Sequence, residues 1–313
     1  MPQSRKADWG FFLCPNQALA DAMRADHWLR TRYPALSRRH IDEALAQRLV
    51  TSADGGRLVK GANVEANEPP DCVLLDSYLN CLREGNLALQ IPVLLETNEL
   101  VVVDKPPGTP SHPISLFDSN SVTNWAVARY PEILLWANQC QPTITPHRLD
   151  TDTSGILLVA RTGAAYAHWR RRFSEGNVEK RYLAWCWGRG PSGPQNIDVP
   201  IAHDRRDRRK MLALEGRNVA HAGARKFPAS TRVRTLLQLG DRCLCEAVMH
   251  TGVTHQIRVH MAMCGNPLLG DQLYDPEGNA RSVKVPHTLL RCTALHCEDF
   301  DVRAGGEEFS RQF

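Results

Sequence analysis

The strongest constraint on this 313-residue chain is a series of short apolar runs, interrupted by single helical patterns in no regular rhythm. Leu100–Val103 is one such run, closed by the turn residues Pro106, Pro107 and Gly108, and Ile156–Ala160 is another, fed by a polar loop. Runs of this length bounded by turn residues read as buried strands. Further strands are expected in VEKRYLAWCWG (178–188), ASTRVRTLLQL (229–239) and CLCEAVMH (243–250). In the first of these, alternation puts Tyr182 and Ala184 on one face and Leu183 and Trp185 on the other. Helical spacing is confined to isolated pieces: one near Val122–Tyr130, TGAAYAHWRRRF (162–173), and HQIRVHMAMC (255–264), with Thr254 as its cap and Gly265 as its terminator. A regular βαβ order would build a parallel sheet. Its absence predicts an α+β body on a mixed, largely antiparallel sheet with flanking helices.

That body is expected over 93–302, after an N-terminal extension (1–24), a compact helical piece (25–65) and a linker (66–92), and before a polar tail (303–313). In the helical piece, Ser37 can cap a helix through RRHIDEALAQRLV, with Ile41, Ala44 and Leu45 inward and Arg38, Arg39 and Arg48 elsewhere. A turn follows at Asp54-Gly55-Gly56. In the linker, Glu68-Pro69-Pro70 and Ile91-Pro92 deny a continuous helix, while CVLLDSYLNCL (72–82) is apolar enough to pack on the body.

Charge is distributed unevenly. The chain carries only +4, yet His203–Lys226 holds eight Lys or Arg against three acids, and Arg24–Lys60 eight against four. Local positive patches on a near-neutral body suit a phosphate-backbone partner, because each neutralised phosphate releases counterions. A solvated, disordered loop at 203–226 is the competing reading. No apolar run reaches bilayer length and the amino end has no sustained apolar stretch, which leaves a soluble protein of the cytoplasm as the expectation. The ten cysteines form no C-x-x-C pair and read as free buried thiols, with Cys243 and Cys245 on one side of a strand.

The most specific local signal is His147-Arg148-Leu149-Asp150 followed by Thr153-Ser154-Gly155. A chance match to seven fixed positions is on the order of one in a billion at average residue usage. These residues match the H-R-L-D-x-x-T-S-G signature of the RluA-like RNA pseudouridine synthases. DKPPGTPSHP (104–113), Lys180-x-Tyr182 and THQIRVHMAMCGNPLLGDQLYD (254–275) resemble further segments of that family in its order. The helical piece resembles the small α-L RNA-binding domain of a ribosomal small-subunit protein.

The resemblance implies a pseudouridine synthase catalytic fold acting on structured RNA, ribosomal or transfer, as a monomer without cofactor, metal or membrane. It also assigns Asp150 as nucleophile, which holds an intermediate while the uracil detaches, turns and rejoins through carbon. Addition to the sugar and addition to the ring both remain open. Burial alone would disarm the carboxylate, so a cation is needed beside it, and Arg258 is the candidate. Tyr182 would stack on the flipped uracil and relay a proton. Arg148 is a candidate wedge, with His147, Lys105, Lys180, Gln256 and Ile257 as further substrate contacts. Arg205, Arg206, Arg208, Arg209 and Lys210 would meet phosphates, as would Arg38 and Arg39 in the helical piece. Thr153, Ser154 and Gly155 read as structural. Val253 stands where the family commonly has a basic residue, so one phosphate contact is expected to be missing. Two rival readings are a metal-dependent phosphoesterase built on His147, Asp150, Asp152, His255 and His260, and an RNA-binding protein without catalysis.

Overall fold

The computed structural model describes residues 22–33, 36–65, 67–76, 85–115, 118–137, 143–275, 277 and 285–312. The expected extension up to residue 21, the middle of the expected linker (77–84), and Cys14, Cys81 and Cys140 lie outside the described residues. The chain divides into two compact units, one chiefly Met1–Leu82 and the other chiefly Arg83–Phe313.

In the first unit, β1 (Met23–Arg24) leads into α1 (Ala25–Arg32), then α2 (Arg38–Ala46), and β2 (Asn63–Val64) returns to pair antiparallel with β1. Ser37 caps α2 as its type favours, its Oγ accepting from the His40 N–H at 3.2 Å. Ile41, Ala44 and Leu45 turn inward against Trp28 and Leu29. Gly55 takes φ +80° in the expected turn. The linker expectation needs correction. Thr51 and Asp71 exchange backbone hydrogen bonds, and Leu75 is fully buried in this first core. An apolar side chain with a core at hand does not stay in a spacer, so 71–76 is part of the first unit.

The second unit contains β3 (Val93–Glu96), β4 (Leu100–Lys105), α3 (Val122–Arg129), β5 (Ser154–Ala160), α4 (Gly163–Ser174), β6 (Glu179–Trp187), β7 (Gln195–Ile197), β8 (Ile201–Asp204), β9 (Met211–Ala213), β10 (Ala222–Phe227), β11 (Thr231–Leu239), β12 (Arg242–Met249), α5 (Gln256–Met263), β13 (Leu290–Cys297), β14 (Phe300–Arg303) and α6 (Gly306–Ser310). Nine strands form one sheet in the order β3-β4-β5-β13-β6-β12-β11-β7, with β14 also on β13. Every pairing in it is antiparallel except β5 with β13. The mixed, largely antiparallel sheet is therefore as expected. The two faces of β6 divide as the alternation predicts. Tyr182, Ala184 and Cys186 enter the main core, whereas Leu183, Trp185 and Trp187 enter a second one with Leu244 and Phe309. Cys243 and Cys245 do share a face, their sulfurs 3.6 Å apart.

The parallel contact depends on Gly155. It has φ +108°, and a Cβ there would lie 2.1 Å from the Cys292 carbonyl oxygen, so only glycine lets β5 approach β13. This places the segment before β5, which carries Asp150, at the centre of the sheet.

Three further expectations change. Residues 203–226 are not a disordered loop: β8, β9 and β10 form a separate three-stranded sheet. The polar tail is not simply polar, because α6 buries Phe309 and its carbonyl accepts from the Trp185 indole N–H at 3.2 Å. Thr254 does not cap α5. The N-cap is His255, in a left-handed conformation (φ +58°), and Gln256 Oε1 accepts from the Val253 N–H at 3.2 Å instead. Gly265, at φ +78°, follows the end of α5 as expected. No helix among the described residues is long and apolar enough to cross a membrane.

Candidate active site

A cleft of about 700 Å³ opens in the second unit, and Asp150, Tyr182, Arg258, Arg148 and His255 line it. Asp150 comes from the loop before β5, Tyr182 from β6 and Arg258 from the first turn of α5.

The Asp150 loop is held by groups beneath it. Lys105, fully buried, donates from Nζ to the carbonyls of Pro106 (3.0 Å), Thr109 (2.6 Å) and Thr151 (2.9 Å). Ser111 Oγ donates to the Leu149 carbonyl at 2.8 Å and accepts from the Leu149 N–H at 3.1 Å. The Thr153 N–H closes the turn on the Asp150 carbonyl at 3.1 Å. His147 accepts from the Leu158 N–H through Nε2 at 3.1 Å and stacks on Phe173 at 4.3 Å. Burial, then the charge of Lys180, lowers its pKa to about 3, so the ring is neutral.

A guanidinium lies beside Asp150. Arg258 Nη1 approaches Asp150 Oδ2 at 3.4 Å, while Nε and Nη2 form a two-point bond to Asp271 at 2.6 and 2.7 Å. The Asp271 side chain is fully buried, and its Oδ1 also accepts from the N–H groups of Leu273 and Tyr274. Burial alone would push the Arg258 guanidinium down. The bond to Asp271 and the charges of Asp271 and Asp150 outweigh it and raise its pKa, so it stays charged. A buried charge of this kind needs both partners and good geometry, and the fork to Asp271 supplies them.

Tyr182 is 4% exposed and shares a hydrogen bond with the Cys292 thiol. Burial, with Cys292 and Asp150 nearby, raises the phenol pKa well above its ordinary value, so at neutral pH the group is a hydrogen-bond donor and not a ready base.

Several of the expected substrate contacts are engaged by bonds within the protein. Lys105 is spent on three carbonyls and His147 on the β5 backbone. Gln256 is 2% exposed and bonds Thr251, Val253, Ser230 and Thr231. Each answers a buried backbone or hydroxyl group that would otherwise lack a partner. Lys180 gives N–H bonds to the carbonyls of Val178 (3.3 Å) and His250 (2.6 Å), and burial lowers its pKa to about 8. It lines the cleft, as do His147, Gln256 and Ile257, and Arg148 is an exposed part of the same lining. In the turn between β8 and β9, Arg206 pairs with Asp204 and Arg209 with Asp207, whereas Arg205 and Arg208 are exposed without a described acid partner. Arg38 and Arg39 are exposed on α2 of the first unit, and Arg39 pairs with Glu43. His260, one of the metal-ligand candidates, bonds the Val199 carbonyl at 2.9 Å and Thr231 Oγ1 at 2.8 Å; His255 instead bonds the Tyr274 hydroxyl at 2.8 Å. Two residues at the site escaped the sequence reading, Asp271 and Tyr274. The G-D-x-x-Y spacing that holds both was the available signal.

Residues 99–263 match the family described as RNA pseudouridylate synthase. The ribosomal large subunit pseudouridine synthase D of Zymomonas mobilis is 31% identical over 274 residues, covering 87% of this chain and 81% of that protein. An uncharacterized RNA pseudouridine synthase of Chloroflexus aurantiacus is 34% identical, over 82% of this chain and 76% of its own. Among solved structures, human RNA pseudouridylate synthase domain containing 1 overlays with a TM-score of 0.57 at 24% identity, covering 71% of this chain and 86% of that one. At that identity the overlay speaks for the fold alone.

Proposed function

Because the chain belongs to the RNA pseudouridylate synthase family and is therefore an isomerase acting on RNA, we propose that it everts a uridine of large-subunit ribosomal RNA into the cleft beside Asp150 and rejoins it as pseudouridine. The observation that carries this reading is the meeting of Asp150, Tyr182 and Arg258 in one cleft from positions far apart in the chain. The ribosomal target rests on the names of relatives such as the Zymomonas enzyme.

In the net reaction the bond from C1′ to N1 breaks and one from C1′ to C5 forms, N1 gaining a proton as C5 loses one. Asp150 is the group that holds the intermediate while the base turns, with the Arg258 guanidinium beside its carboxylate. Tyr182 supports the everted ring and donates from its hydroxyl. Eversion costs a few kcal/mol. Arg148 in the cleft lining and the β8–β9 turn are the groups that offset it through phosphate contacts. The exposed arginines of the first unit extend the RNA contact in the same reading, which also has the protein working in the cytoplasm as a monomer without metal or cofactor.

Tritium release from RNA labelled at C5 of uracil tests it. Asp150→Asn is expected to abolish release while leaving RNA affinity within a few-fold of wild type, with a large-subunit ribosomal RNA transcript turned over and transfer RNA not. Release that survives Asp150→Asn refutes the nucleophile, and turnover of transfer RNA alone refutes the target. Undiminished activity after chelator, with a monomer mass in solution, is expected of the remaining assignments.

A further inference from the structure

His255 lies beside Asp150 without a role in the reaction as proposed. Its Nδ1 is 2.8 Å from the Tyr274 hydroxyl, and its Nε2 is 3.8 Å from Asp150 Oδ2. The same Tyr274 oxygen accepts from the Met211 backbone N–H at 2.8 Å. A phenol has one proton to give. With the oxygen already accepting from Met211, the arrangement that satisfies all three groups has the hydroxyl donate to Nδ1. The ring proton then resides on Nε2, the nitrogen that faces the carboxylate. Burial, outweighing the opposing charge of Asp150, lowers the His255 pKa, which fits a neutral ring with one N–H.

The ring is also aimed. His255 holds φ +58°, a left-handed conformation uncommon among non-glycine residues, and it is the N-cap of the helix that carries Arg258. The Tyr274 ring packs edge-on to His255 at 5.6 Å and under the Arg258 guanidinium at 5.2 Å. Both donors facing Asp150, Arg258 Nη1 and His255 Nε2, approach the same oxygen, Oδ2.

We propose that His255 is a positioning residue for the nucleophile: Tyr274 fixes its Nε2–H tautomer, and with Arg258 it engages Oδ2, which leaves Oδ1 directed at the substrate. This rests on the assignment of Asp150 as nucleophile. A separation of 3.8 Å is beyond hydrogen-bond length, and such contacts in unliganded sites tighten when substrate enters. Met211 follows directly on the basic turn Arg205–Lys210, so Tyr274 also ties the segment that would meet RNA to the orientation of the carboxylate.

The tautomer can be read without activity. In full-length wild-type protein carrying ¹⁵N-histidine, the His255 imidazole is expected to show the Nε2–H pattern, and Tyr274→Phe, which keeps the ring packing but removes the hydroxyl, is expected to lose that preference. An Nδ1–H pattern in the wild type, or no change in Tyr274→Phe, overturns the proposal. Single-turnover rates supply the second arm. His255→Asn tolerates the left-handed backbone and reaches only the Nδ1 position, so a rate loss of about tenfold or more with unchanged RNA affinity is expected. His255→Gln extends an amide N–H to the Nε2 position and is expected to recover most of the rate. Equal rates for Asn and Gln, or a loss confined to RNA affinity, overturns the positioning role. Activity surviving in Asp150→Asn would instead remove the nucleophile assignment, a failure that the tautomer measurement distinguishes.

Discussion

At the scale of single residues, the site turns on how a buried guanidinium is kept in place. Two of the three Arg258 nitrogens are bound to Asp271 and one is aimed at Asp150, so the guanidinium beside Asp150 is oriented by Asp271. Asp271→Asn keeps the shape but removes the charge. It is expected to lower the single-turnover rate about tenfold or more, ~1.4 kcal/mol of barrier, with RNA affinity little changed. A rate equal to wild type would show that Asp150 orients Arg258 unaided. His147 leads to a pH prediction. Its pKa falls from the ordinary 6.5 to about 3 in the folded protein, so below pH 6.5 the unfolded chain binds the additional proton. Its contribution to stability is thus complete above pH 6.5 and is lost as pH falls toward 3, at up to ~1.4 kcal/mol per pH unit. Denaturant melts of His147→Gln should show a shallower decline across that window, and parallel curves would contradict it. The convergence of Asp150, Tyr182 and Arg258 on one cleft was legible because each sits inside a compact motif. The bonds that Lys105, His147 and Gln256 make within the protein were not legible, because a linear motif does not reveal whether a polar side chain also serves its own loop. For Lys105 that was decided by carbonyls as remote as Thr151.

At the scale of elements, the long strands announced themselves. Ser154–Ala160 and Glu179–Trp187 are apolar or cleanly alternating, and no other local structure buries such runs so well. Short elements did not. β8 and β9 have four and three residues, too few for a periodic signal, and the charges between them pointed equally to a disordered loop. The cap of α5 was misread for a related reason: Thr254 is a favoured cap type, but the contacts of His255 and Gln256 with Tyr274 and Thr231 fix where the helix starts. The β8–β9 turn allows a quantitative test. Arg206 and Arg209 are tied to Asp204 and Asp207, which leaves Arg205, Arg208 and Lys210 as its freer charges. Replacing those three by alanine is expected to reduce the slope of log affinity against log salt by ~2–3, at ~0.7–0.9 per lost phosphate contact. The rate at saturating RNA should hardly move. Filter binding across a salt series checks this, and an unchanged slope would take the turn out of the RNA interface.

At the scale of the whole molecule, the core of the first unit and the main core of the second share no residue among those described. One gathers Trp28, Leu29, Ile41, Leu45 and Leu75, and the other is organised by the nine-stranded sheet. The division was visible in composition, but its boundary was not, because Leu75 sits in an apolar stretch that could have served either core. Units with separate cores can unfold separately, and then a single transition no longer describes the chain. Calorimetry of the full chain should show two transitions. Leu29 is fully buried, and replacing such a leucine with alanine costs about 2–5 kcal/mol, a large fraction of what a unit this small can muster. Leu29→Ala is therefore expected to depress the smaller transition strongly and to leave the larger one in place. Because Asp150, Tyr182, Arg258 and Asp271 all belong to the second unit, Leu29→Ala should retain the single-turnover rate at saturating RNA. RNA affinity should weaken to the extent that the exposed arginines of the first unit contribute. If both transitions move together, the two cores are energetically one, and loss of rate at saturating RNA would mean that catalysis draws on the first unit as well.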